Sequence, residues 1–96
     1  MNYAAGVDDR RPCPRCDWVC ENEQGLRKHT QRHNFVARLH WSVYTCWFCS
    51  AWMVDSGAPW PIPERIKHIV LCYEQCLAGG DPMAEALERR REMAFA

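Results

Sequence analysis

Four residues near the start of this 96-residue chain stand at a spacing that suits metal chemistry: Cys13, Cys16, His29 and His33, in the order Cys-x2-Cys-x12-His-x3-His. Two Cys three apart can straddle a tight turn, here Pro14-Arg15, and aim both sulfurs at one ion. Two His four apart lie on one face of a helix. Thiolate and imidazole are the donors of a tetrahedral Zn2+ site, and four protein donors leave no open position, which marks a structural ion. A second set follows. Cys46 and Cys49 repeat the turn, and His68 and Cys72 stand four apart beyond it, giving Cys-x2-Cys-x18-His-x3-Cys. Cys76 is the alternative to Cys72 as fourth donor. On an ideal helix it lies about 80° round from His68, so it would serve only if the helix ended near Cys72. The expectation is two Zn2+ per chain.

The seven Cys are more than packing needs, and an odd number does not suit a full disulfide framework. No run of 18 apolar residues is present, and the opening MNYAAGVDDRR has acids where a signal peptide needs a basic and then an apolar stretch. The expected setting is an intracellular reducing compartment, the nucleus before the cytoplasm, with no membrane. An apolar share of 48% and a charged share of 25% exclude disorder as a description of the whole chain. Units of this size bury too little apolar surface to fold without metal.

The donors need elements to hold them. After Pro63, Ile66, Ile69, Val70, Tyr73 and Leu77 recur at helical spacing and predict a helix carrying His68 and Cys72. Gly79-Gly80 breaks it, and Asp81-Pro82 caps and opens a C-terminal helix over 81–96, with Glu85 and Arg89 as an i, i+4 pair. The chain divides into a flexible N-terminus (1–11), a first metal unit (12–34), a packed connector (35–40) carrying Phe35, Val36 and Leu39, a second metal unit (41–77) and the terminal helix. The fold class is a small zinc-stabilised α+β protein: two zinc modules packed together, with a C-terminal helix.

On Cys13, Cys16, Leu26, His29 and His33 the first unit resembles the Cys-Cys-His-His zinc-finger family, with Cys20 where that family usually has Phe and Trp18 or Val19 to make up the volume. Over QGLRKH it also looks like fingers at the front of some non-LTR retrotransposon proteins. The family resemblance implies a ββα fold, so that the two modules are expected to be ββα-like, with strands near 11–20, a helix from about Glu23 to His33, and base-contacting positions at Asn22, Gln24, Gly25 and Lys28. Asn and Gln can pair with adenine and Lys with guanine, whereas Gly25 pairs with nothing. Arg15, Arg27, Arg32 and Arg38 could meet phosphates, which fixes position without reading sequence. Although net charge is zero, residues 10–38 carry +4, so attraction to DNA or RNA is confined to the first third.

The second unit is similar to Cys-Cys-His-Cys fingers in its ligand order, with a longer interval that adds the loop VDSGAPWPIP. With Trp47 and Phe48 in the Cys-x2-Cys turn, Pro59-Trp60 before the His and a more distant Cys76, it also looks like the inhibitor-of-apoptosis BIR zinc domain, a resemblance that would make Cys76 the ligand. Trp41, Tyr44, Trp47, Phe48, Trp52 and Trp60 crowd into twenty residues of slightly negative charge. They serve either as the unit's core or, where exposed, as a surface for a protein partner. His40 reads as a solvated or packing residue, and Cys20 and Cys76 as buried thiols. Two functions stand open: nucleic-acid binding through the basic first finger, and a protein-interaction adaptor with purely structural zinc. An enzyme is not expected, because neither site leaves room for water and no nucleophile–base pair is visible.

Overall fold

The structure, a computed structural model, describes residues 9–39 and 44–95. His40, Trp41 and most of the expected flexible N-terminus lie outside the described residues. A short antiparallel hairpin comes first, β1 (Arg11–Pro12) against β2 (Val19–Cys20), with Arg11 opposite Cys20. Helix α1 (Glu23–Leu39) follows. Asn22 starts it as N-cap: its Oδ1 accepts from the Gly25 N–H at 2.8 Å. The joint after His33 is not a separate element. Leu26 to Leu39 contains no Gly or Pro, so α1 runs on six residues beyond His33, and its last turns bury Phe35 and Val36.

The second unit is built on an isolated bridge and one small hairpin. Thr45 bridges Trp52 around the Cys46–Cys49 turn, where the Cys46 N–H donates to Ala51 and the Ser50 N–H to Cys46. The stretch read from sequence as an added loop forms a hairpin of its own, β3 (Val54–Asp55) against β4 (Ala58–Pro59). Its two-residue turn, Ser56-Gly57, has both φ angles positive (51° and 80°), the backbone of the type I′ turn that matches strand twist.

Helix α2 (Ile62–Ala78) and helix α3 (Pro82–Ala94) meet at a compact corner. The Asp81 N–H bonds the Cys76 carbonyl at 2.9 Å and the Gly80 N–H the Leu77 carbonyl at 3.1 Å, a Schellman closure that needs Gly80 at φ 77°. Asp81 then caps α3 through its carboxylate, accepting from Met83 at 2.8 Å and Ala84 at 3.2 Å.

One core serves both units. Val36 of α1, Cys46, Met53, Ile66, Ile69, Val70 and Tyr73, and Ala84 of α3 are buried together, with Trp47, Phe48, Trp60, Cys76 and Leu87 packed on them. A buried ionic network closes the other side. Glu88 of α3 accepts from Arg32 (2.7 and 3.0 Å), Arg91 (2.8 Å) and the Tyr73 hydroxyl (2.7 Å). Burial alone would raise the Glu88 carboxyl, yet hydrogen bonds from Arg91, Arg32 and Tyr73 outweigh it and hold the group down at about 2. The architecture is a small α+β fold of two short hairpins and three helices carrying two Cys/His groups, and no helix among the described residues is long and apolar enough to cross a membrane.

Two candidate metal centres

The first group is Cys13 and Cys16, from the turn between β1 and β2, with His29 and His33 from α1. All four are buried. The helix presents both rings on one side, with Nε2 of each turned inward. Cys13 Sγ lies 3.5 Å from His33 Nε2, Cys16 Sγ 3.2 Å from His29 Nε2, and the two Nε2 atoms are 3.2 Å apart. In the second group, Cys49 Sγ stands 3.3 Å from His68 Nε2 and 3.9 Å from Cys72 Sγ, and Cys72 Sγ 3.6 Å from His68 Nε2. Buried Cys46 completes it. In each group the four donor atoms lie within 4.8 Å of one another.

These separations fit zinc. Sulfurs about 2.3 Å and nitrogens about 2.0–2.1 Å from a tetrahedral centre stand about 3.3–3.8 Å from each other. None of the seven Cys is in a disulfide. The protonation of the free donors follows from their surroundings. Burial, the neighbouring His29 and Arg15 depress His33 to about 4, so its ring is neutral and ready to ligate. Burial pushes Cys16 up to about 11 and Cys72 up to about 12, and raises Cys46. Exposed Cys49 goes the other way, down to about 7, through its bond to His68. Because the thiolate is the ligand, an ion entering either site displaces protons. Both groups are therefore compatible with one Zn2+ each, held by side chains alone.

Cys72, not Cys76, joins the second group; Cys76 packs against the core instead. The helix continues past Cys72 to Ala78, which removes the early ending that Cys76 would require and with it the BIR-like ligand set. Trp60 lies edge-on to the His68 ring at 5.9 Å and so steadies a donor. Phe48 stacks on Tyr73 at 5.6 Å, and Trp47 is half-buried. Trp52 alone of the described tryptophans is largely exposed, at 71%.

The residues nominated for nucleic acid separate by position. Gln24, Arg27 and Lys28 are exposed on the first turns of α1, and Arg15 is exposed with its Nη1 donating to Asn34 at 3.0 Å. Asn22 spends its side-chain oxygen on the helix cap. Arg32 faces inward, paired with Glu74 and Glu88, so it belongs to the internal network. Arg38 lies over the Phe95 ring at 4.7 Å.

Glu74 is the residue that sequence reasoning missed. Buried, it meets His29 Nδ1 at 2.5 Å across 45 residues of chain. Its one cue was a carboxylate four after Val70, at the edge of the apolar stripe of α2. Comparison with protein-family models, with curated proteins and with solved structures finds no match for the chain. Fold and donor geometry define the class: a small α+β protein with two sites compatible with zinc.

Proposed function

We propose that the chain is a nucleic-acid-binding protein with two structural zinc ions, its first unit acting as a Cys-Cys-His-His finger and its second as a Cys-Cys-His-Cys one. The observation that carries this reading is the start of α1: Gln24, Arg27 and Lys28 stand exposed there, with exposed Arg11 on the strand paired to Cys20, while further along the helix His29, His33, Phe35 and Val36 are buried. This is the end of the helix that a finger offers to a groove. With four protein donors each, the zinc ions stabilise and do not catalyse, so the protein is not an enzyme. Cysteines that serve as metal ligands suit a reducing compartment, the nucleus before the cytoplasm.

The test is binding to duplex DNA, single-stranded DNA and RNA over a range of salt. Affinity should fall steeply as salt rises, and Arg27→Glu with Lys28→Glu should abolish it while metal content stays unchanged. No binding at low salt would refute the reading. It would favour a protein-interaction adaptor, which the exposed Trp52 supports, together with a groove of about 360 Å3 lined by Leu39, Trp47, Phe48, Met83, Leu87 and Arg90.

A further inference from the structure

Helix α2 stands between the two metal groups and commits residues to each. His68 and Cys72 belong to the second group. Glu74, two residues past Cys72 and so about 200° further round the helix, points the other way. Its Oε2 lies 2.5 Å from His29 Nδ1, while Nε2 of the same ring faces Cys16 Sγ at 3.2 Å. An imidazole that offers Nε2 to an ion must carry its proton on Nδ1. A carboxylate on that proton fixes the tautomer, holds the ring plane and makes the donor more basic. Glu74 is itself held: it is 6% exposed, and Arg32 of α1 donates to its two oxygens at 3.0 and 2.8 Å.

We propose that Glu74 is the positioning residue of the first metal site and that it couples the two sites, so that an ion on Cys46, Cys49, His68 and Cys72 tightens binding at Cys13, Cys16, His29 and His33. The inference rests on the two-zinc reading and deepens it. An ion at the second group fixes α2 through His68 and Cys72. A fixed α2 keeps Glu74 against His29, so the first site fills without having to order that helix again. Reciprocity requires the first ion to tighten the second by the same factor.

Glu74 also pairs with Arg32, which would stabilise the fold without any role at the metal. Glu88 separates the two explanations. It binds the same Arg32, together with Tyr73 and Arg91, and the bonds described for it reach no Cys or His donor. The experiment titrates the full chain with Zn2+ against a chelator and with Co2+, whose spectra distinguish a site with two thiolates from one with three. It compares the parent with Glu74→Ala, Glu74→Gln, Glu88→Gln, Cys72→Ser, and Cys72→Ser combined with each Glu74 variant. The parent should hold two ions. Glu74→Ala should weaken the first site by about 10–100-fold, Glu74→Gln less because it keeps an oxygen acceptor, and Glu88→Gln by less than about threefold. Cys72→Ser should weaken the first site about tenfold when Glu74 is present and leave it unchanged in the Glu74→Ala chain. The His29 ring 15N and Nδ1 proton resonances should move in both Glu74 variants and stay in Glu88→Gln. If Glu74→Ala does not fold, Glu74→Gln carries the same comparison, with a smaller drop and a correspondingly smaller response to Cys72→Ser. Equal effects of Glu74 and Glu88 substitutions, or an effect of Cys72→Ser independent of Glu74, overturn the coupling. A parent chain holding one ion or none overturns the two-zinc reading itself.

Discussion

Cys72 and Cys76 sit one turn apart on α2, and the donor geometry of the second group depends on which of them turns toward Cys49. Cys72 does, at 3.9 Å from Cys49 Sγ and 3.6 Å from His68 Nε2. Native mass spectrometry should therefore find one ion fewer in Cys72→Ser and no loss in Cys76→Ser, whose side chain only packs on the core. Two ions retained by Cys72→Ser would mean that the assignment is wrong. The same distinction between neighbours applies on α1. Lys28 and Arg32 are four apart, yet Lys28 faces solvent and Arg32 is clasped by the carboxylates of buried Glu74 and partly buried Glu88. The Arg32 guanidinium keeps its charge firmly: burial opposes it, but the bonds to Glu88 and Glu74 win and raise its pKa. Substituting Arg32 removes a partner from buried charges, which costs more than losing a solvated contact.

The elements owe their ends to local chemistry, and those ends set where the donors sit. Between α2 and α3 the chain reverses within Gly79-Gly80-Asp81, so a fault there displaces α3 and with it Glu88. Gly80→Ala puts a Cβ on a backbone at φ 77° and should cost about 1–2 kcal/mol. Asp81→Ala strips the cap from Met83 and Ala84 and should cost about 1 kcal/mol. Denaturant melts of the metal-loaded protein measure both, with the midpoint falling at unchanged metal content. A midpoint equal to the parent's would show that the corner does not support the fold.

Across the whole molecule, metal binding and proton release act together. Cys46 and Cys72 are raised by burial, Cys72 to about 12, while Cys49 sits at about 7 through its bond to His68. Thiols whose pKa stands above the working pH must shed protons to ligate, so apparent affinity at the second site rises with pH. From pH 6.5 to 8 it should climb by about tenfold or more per unit, read by chelator competition. A flat profile would contradict ligation by these thiols. Removing both ions should cost most of the helical circular dichroism, since the shared core around Val36, Ile69 and Tyr73 is small for a chain that must order two units. Retention of the full signal after chelation would show that this core suffices alone.

Donor identity and spacing were legible along the chain because they are local. A Cys-x2-Cys turn and a His-x3-His or His-x3-Cys helical turn each place two donors within a few residues, and the 3.6-residue period does the rest. The break at Gly79-Gly80 and the cap at Asp81 were legible for the same reason, whereas Asn22, nominated as a base contact, caps α1 instead. Partners far apart in the sequence needed the tertiary structure. Phe35 and Val36 read as a joint until the core drew α1 out to Leu39 over them, and VDSGAPWP read as a loop until its turn paired Asp55 with Ala58. No local rule brings Glu74 to His29 or Glu88 to Arg32. Burying a carboxylate is favourable only where the fold supplies its donors, and those donors come from another helix.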